Sequence, residues 1–333
     1  MSEKASVTHR GAVQLGKNVA CDAFDETRPL RIVTHAHADH MIGLQQSLRT
    51  CERVLMTPAT KDLIDVLKGP LCLMRGNVET LDYGETIQHG EEQITFVKSD
   101  HILGAAQVLV EDAEGKRLAY TGDFRIDETP VIDADVLVTE ATYGSPSCKR
   151  RFGTDVKELL VGLVEKGLKH GPVYLFGYHG KLQEVMQIIH AAGIRAPQIA
   201  SEKVFNVSKI CEKHGMHIGQ LRLSEEQEAK EILDKHVPCL AFYHMNTRDA
   251  IGVGGFRITV SGWEFNSPIR ETADNEYTVA LSDHSDYDGL MEYVRRSEPD
   301  VVITDNYRDA HAATFAKEVT TKLGIPATAL PRD

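Results

Sequence analysis

Long apolar runs are missing from this sequence: none approaches the roughly 18 residues of a membrane span. The N-terminal stretch MSEKASVTHRGAV carries charges but no apolar signal-peptide core. The expectation is a cytoplasmic protein with no membrane partner. CxxC pairs are missing too. Cys21, Cys51, Cys72, Cys148, Cys211 and Cys239 are scattered through 333 residues, a length that needs no disulfide staples, so they read as reduced structural thiols. Excess positive charge is missing as well. A net charge of −12 excludes binding to nucleic acid through overall charge, because phosphate affinity comes from Lys and Arg. It leaves room for a local basic groove, and for an acidic metal site that adds to the negative total. Internal repeats and low-complexity segments are absent.

What is present is a globular composition, 42% hydrophobic and 26% charged, which excludes a disordered chain and fits one large or two ordinary domains. Apolar, β-rich runs at 30–34 (LRIVT), 93–99 (QITFVKS), 117–122 (RLAYTG) and 135–141 (DVLVTEA) end in polar or Gly-containing turns. Between residues 146 and 270 the rhythm changes to strand then amphipathic helix. GPVYLFGYHG leads into KLQEVMQIIHAAG, and APQIAS into EKVFNVSKICEKHG, as in a parallel sheet with crossover helices. That stretch reads as a separate unit. The charged run at 224–236 reads as a solvated helix face.

The chemistry concentrates at HAHADH. His35, His37, Asp39 and His40 crowd four potential ligands into six residues behind LRIVT. If the strand stays extended, His35 and His37 share a face and a following turn brings Asp39 and His40 to a second position. Three imidazoles and a carboxylate so close repel one another or stay unsatisfied unless a cation binds them. His9, His89, His170, His190, His214, His217 and His236 have no such spacing and read as structural. An open catalytic metal site takes about three protein ligands and water. Further candidates are His101 in SDHILGA and Asp123 in TGDFR, each at a turn beside a glycine, Gly104 or Gly122.

HAHADH, DHILGA and TGDFR, in that order, resemble the successive metal motifs of the metallo-β-lactamase superfamily. The likeness implies an α/β, four-layer αβ/βα sandwich with two divalent metals at one rim. His35, His37 and His101 would hold the first metal and Asp39 and His40 the second, with Asp123 bridging. TEATYGSPSCKRRF, FGYHGKLQEVMQII, VSGWEF and ALSDHSDYDGL resemble the β-CASP nuclease subgroup, most of all its ligase-associated DNA exonucleases and archaeal relatives and, more distantly, its Artemis-type and messenger-RNA 3′-end-processing nucleases. This implies a sandwich in two parts, residues 1–145 and 271–333, with a β-CASP domain inserted at 146–270. It also implies zinc, with manganese an option at the second site, and a nucleic-acid substrate, DNA favoured over RNA. Association with DNA repair or ligation proteins follows from the same likeness.

By the same resemblance Asp39, Glu140 and His284 enter the catalytic set. Glu140 is read as an acceptor orienting a metal-bound imidazole, and His284 as the group that binds the scissile phosphate or protonates the leaving oxygen. One departure stands out. After VVIT, where the subgroup has a histidine for the second metal, this sequence has Asp305 and Asn306. A carboxylate can ligate zinc or manganese in its place, the site can instead be weak, or His311 can take over. Lys149, Arg150 and Arg151 are the strongest basic cluster and candidates for gripping a phosphate backbone, with a solvated turn the plain reading. Lys181, beside Gly180 at a helix start, is a further phosphate candidate. Tyr143 and Trp263 are candidate stacking platforms, with core packing the commoner fate. Ser282 and Asp283 read as caps of the helix YDGLMEYVRR.

Overall fold

The computed structural model describes residues 4–69, 72–152 and 155–332. The chain forms two units, Met1–Lys149 with His284–Asp333, and Arg150–Asp283 between them. Both crossings fall later than the sequence pattern places them.

The first unit opens with a six-stranded sheet, β1 (Ala5–Val7), β2 (Val13–Leu15), β3 (Val19–Cys21), β4 (Leu30–Ile32), β5 (Arg53–Met56) and β6 (Val78–Thr80), hydrogen-bonded in that order. Helix α1 (Leu44–Thr50) links β4 to β5, and α2 (Pro58–Lys68) links β5 to β6. Thr57 caps α2 by accepting from the Thr60 amide, and Pro58 follows it in the first turn, where the missing N–H costs nothing. A second sheet follows, with β7 (Thr86–His89), β8 (Glu92–Lys98), β9 (Ala106–Glu111), β10 (Arg117–Tyr120) and β11 (Val136–Thr139).

The second unit alternates helix and strand: α3 (Val156–Leu168), β12 (Val173–Gly177), α4 (Lys181–Ala191), β13 (Gln198–Ala200), α5 (Glu202–Lys213), β14 (Leu221–Leu223), α6 (Gln227–Asp234), β15 (Leu240–His244) and β16 (Phe256–Val260). β17 (Ile269–Ala273) and β18 (Glu276–Val279) complete a seven-stranded sheet of order β14-β13-β15-β12-β16-β18-β17, parallel except for edge strand β17. β18 lies parallel to β16, with Ile258 opposite Tyr277. The hairpin at 269–279 therefore belongs to this unit, which is why the second crossing comes after it and not at 270. The hairpin has short strands, one of them largely exposed, turning through Asn275 at φ 58°, so it lacks an apolar alternation to announce it.

The chain then returns to the first unit through α7 (Tyr287–Ser297), β19 (Val301–Asp305), α8 (Ala312–Leu323) and β20 (Ala327–Leu330), giving a second sheet of order β20-β19-β11-β10-β9-β8-β7. Period-two alternation sorts its side chains. Leu118, Tyr120, Val136 and Val138 pack with Val13, Leu15, Leu30 and Ile32 of the first sheet. Ala119, Leu137 and Val302 pack with Leu290 and Val294 of α7 and Phe315 and Val319 of α8. Each fully buried Val, Leu, Ile or Phe among them contributes about 1.5–3 kcal/mol. The result is an αβ/βα sandwich. The cap of α7 is Asp286, which accepts from the Gly289 amide, in place of the Ser282 and Asp283 suggested by sequence. All six cysteines are unpaired. Among the described residues no helix is long and apolar enough to cross a membrane.

Candidate metal centre

Strands β4, β8, β10, β11 and β19 end at Ile32, Lys98, Tyr120, Thr139 and Asp305, and the candidate ligands lie at or just past those ends. Thr139 pairs with Thr304 across β11 and β19, so Glu140 and Asp305 are carried side by side. In open α/β sheets the carboxyl ends of strands are where binding groups gather.

The chain does not stay extended through the histidine motif. It bends at His35 and Ala36, and Ala38–His40 forms a short 3-10 turn. His35 and His37 meet because of that bend and not by strand alternation. Their rings stand edge to face, centroids 4.9 Å apart. His35 Nε2 lies 3.2 Å from His37 Nδ1, and His101 Nε2 lies 3.1 Å from the same atom. With Asp123 these residues offer four ligand atoms all within 4.8 Å of one another. A single oxygen, Asp123 Oδ2, lies 3.5 Å from His35 Nε2, 3.3 Å from His40 Nε2 and 3.6 Å from His101 Nε2.

Asp22, which carries no spacing signal in the sequence, sets the protons of this cluster. It accepts from the Thr34 amide and Thr34 Oγ1, both at 2.8 Å, and from His40 Nδ1 at 2.7 Å. The Thr34 hydroxyl is thereby committed as donor to Asp22, so His35 Nδ1–H donates to Thr34 Oγ1 at 3.1 Å. Both histidines then turn Nε2 toward Asp123, His35 with its lone pair there. Burial pulls His35 well below the usual histidine pKa, helped by His40 and His101. Burial also opposes a charge on His40, but Asp123 and Asp22 outweigh it and raise that group well above the usual value. The imidazoles of His35, His37 and His101 converging with the Asp123 carboxylate are a donor set that fits a divalent cation. Asp39 is largely exposed, its Oδ2 3.6 Å from His40 Nε2. Asp39, His40 and Asp305 are in no convergent group of this kind among the described residues.

The turns bearing His101 and Asp123 are clamped together. Arg125 donates Nε to Asp100 Oδ2 and Nη2 to Asp100 Oδ1, both at 3.0 Å. Gly104, at φ 83°, leaves no room for a side chain, since a Cβ would stand 2.6 Å from the Thr60 amide nitrogen. Its carbonyl accepts from Thr57 Oγ1 and Thr60 Oγ1.

Glu140, 2% exposed, lies against a different imidazole from those of the cluster. It accepts the Phe124 amide at 2.7 Å on Oε1 and His284 Nδ1 at 2.9 Å on Oε2. Burial raises its pKa, with His284 working the other way. The His284 ring packs 4.8 Å from the His101 ring and 5.7 Å from that of Tyr143, and Tyr143 is buried, so it offers no stacking face. Three of the four basic candidates are internal ties. Lys149 binds Asp288 at 2.5 Å, Lys181 is buried on Asp283 at 2.9 Å, and Arg150 donates to the Gly262 carbonyl at 2.7 Å. Arg151 is exposed.

Residues 19–165 match the model of the β-lactamase superfamily domain. Over 138 residues, 41% of this chain, the sequence is 40% identical to an "Uncharacterized protein in lig 3'region" of Acidianus ambivalens, of which 99% is covered. The chain belongs to the metallo-β-lactamase superfamily. Within that superfamily it is related to the β-CASP nucleases. Endoribonuclease YSH1 of Yarrowia lipolytica is 25% identical over 228 residues, 58% of this chain and 27% of that one. A probable DNA ligase of Opitutus terrae is 24% identical over 317 residues, 90% of this chain and 28% of that one. This superfamily member thus spans little more than a quarter of either longer relative. A crystal structure of a protein of unknown function from Enterococcus faecalis V583 shares the fold, with a TM-score of 0.55, 16% identity and coverage of 84% of this chain and 76% of that one.

Proposed function

We propose that this protein is a metal-dependent nuclease that hydrolyses phosphodiester bonds in DNA, trimming an end, and that it acts in the cytoplasm beside DNA repair or ligation. One observation carries the reading. His35, His37, His101 and Asp123 converge within 4.8 Å, and the Glu140–His284 pair stands against the same cluster, the rings of His284 and His101 being 4.8 Å apart. Similarity over 90% of the chain to a protein named a probable DNA ligase supports DNA. The relative named an endoribonuclease favours RNA as the second reading.

His35, His37, His101 and Asp123 would hold one divalent ion, zinc by the chemistry of imidazole and carboxylate donors. Asp39 and His40 would take a second, for which manganese is the alternative. When bound, such ions supply positive charge that polarises phosphoryl oxygens and lowers the pKa of water. The chain's own groups do the rest. Asp22 and Thr34 fix the protons of His35 and His40, so neither imidazole must reorganise. Glu140 accepts a hydrogen bond from His284 Nδ1–H, so an imidazolium at His284 would carry its second proton on Nε2, to bind the scissile phosphate or to be given to the leaving oxygen.

The test is incubation with end-labelled single- and double-stranded DNA and RNA, with Zn²⁺ or Mn²⁺ and with chelator. Expected is metal-dependent release of short products from DNA ends. Cleavage of RNA alone moves the conclusion to the second reading, and no cleavage of any polymer by the metal-loaded protein refutes both.

A further inference from the structure

Asp305 stands where the β-CASP resemblance leads one to expect a ligand, and its two oxygens are already engaged. Buried to 1% exposure at the end of β19, it accepts the Tyr307 and Arg308 amides on Oδ1, at 2.9 and 3.3 Å. On Oδ2 it accepts Arg308 Nη1 at 2.6 Å. The same guanidinium, its side chain 5% exposed, reaches two other segments. Nε donates to the carbonyl of Asp39 at 3.2 Å and Nη2 to the carbonyl of Gly11 at 2.8 Å. Arg308 therefore joins three places far apart in sequence: the end of β19, the turn bearing Asp39 and His40, and the loop between β1 and β2. Arg31, also buried, holds the far side of that turn by donating Nη2 to the His40 carbonyl at 3.0 Å.

A metal ion at Asp305 would share the carboxylate with a fixed positive charge that repels it, and displacing Arg308 would strand a buried guanidinium and release two carbonyls. Without Asp305 the second ion would have only the exposed Asp39, His40 through Nε2, and a share of Asp123. The first ion has three imidazoles and a carboxylate.

We infer that Arg308 is a positioning residue that withholds Asp305 from metal binding, so that the centre keeps one ion tightly and a second only weakly. The inference rests on the metal-binding part of the proposed function and not on nucleic-acid cleavage.

The experiment strips the full-length protein with chelator, reloads it with Zn²⁺ or Mn²⁺, counts ions per chain by mass spectrometry after desalting, and titrates the second ion calorimetrically. Expected is one retained ion per chain. Asp305→Asn leaves the second-ion affinity within about twofold, whereas loss of a true ligand or its support costs about 10-fold or more. Arg308→Gln, checked for folding by circular dichroism and by retention of the first ion, frees Asp305 and tightens the second ion by about 10-fold, a gain that disappears in the double variant. The inference is overturned if the wild type retains two ions, if Asp305→Asn weakens the second ion by about 10-fold, or if folded Arg308→Gln shows no gain. Should Arg308→Gln not fold, the Asp305→Asn comparison decides alone. Nuclease assays on the same samples keep the two claims apart: absent cleavage removes the nuclease reading and leaves the ion count standing, and a two-ion count does the reverse.

Discussion

Asp22 shows how much of this centre depends on a residue that touches no substrate. It sits at φ 64°, a left-handed conformation that costs a non-glycine residue about 1–2 kcal/mol, and it holds there because its amide donates to the Ile32 carbonyl while its carboxylate takes three hydrogen bonds. Replacing it by Asn puts an NH₂ against a donor already committed, either the Thr34 amide or His40 Nδ1. The expected result is a loss of about 10- to 100-fold in metal affinity, measured by competition with a chromogenic chelator, with secondary structure retained. Unchanged affinity would mean that the tautomers of His35 and His40 are set by something other than Asp22. Glu140→Gln asks a different question at the next imidazole. Gln can still accept the Phe124 amide, but it gives His284 no charge to lean on. A drop in kcat of about 100-fold with KM held is expected if His284 moves a proton. A rise in KM with kcat held would instead make His284 a phosphate-binding group.

At the scale of elements, the site is a set of turns pinned to strand ends, and the pinning can be measured. Asp100 and Arg125, two residues after β8 and five after β10, form a two-armed pair whose side chains are 17% and 20% exposed. Partial exposure discounts the interaction through solvent screening, so a double-mutant cycle of Asp100→Asn and Arg125→Gln in urea should give a coupling of about 1 kcal/mol. Both single variants should also lose metal affinity, because His101 and Asp123 ride on the two turns. A coupling near zero would show that the backbone bridge between Asp100 and Arg125 holds the turns unaided. Legibility divides along the same line. HAHADH, His101, Asp123 and the β-rich runs before them were readable because ligand crowding and apolar periodicity are local signals. Asp22, Arg308 and the Asp100–Arg125 clamp were not, since each works through a partner supplied by folding. Arg308 meets Asp39 across 269 positions, and no window of sequence contains both. The hairpin of β17 and β18 escaped for another reason: its exposed edge gives no alternation, and its place is decided by pairing with β16.

For the whole molecule, the net charge of −12 bears on how a nucleic acid would be held. Of the four basic candidates, Lys149, Arg150 and Lys181 each bind a partner within their own unit, which leaves Arg151 exposed as the one ready to neutralise a phosphate. Binding of single-stranded DNA, the proposed substrate, should therefore release few counterions. At about −0.7 per phosphate neutralised on a single strand, the logarithm of affinity should fall against the logarithm of salt with a slope no steeper than about −2. The chain reports this itself, because Trp263 is its only tryptophan and is 61% exposed, so its emission can be followed as DNA is added to chelated protein between about 50 and 200 mM salt. Arg151→Ala should flatten the slope by about 0.7. Lys149→Ala should leave it unchanged, since Asp288 already holds that ammonium. A wild-type slope steeper than about −5 would mean that the internal pairs open on binding and that their lysines and arginines turn to the backbone. Recognition would then be carried by a rearranged basic face. A shallow slope in the chelated protein assigns it to contacts other than a basic face, His284 among them.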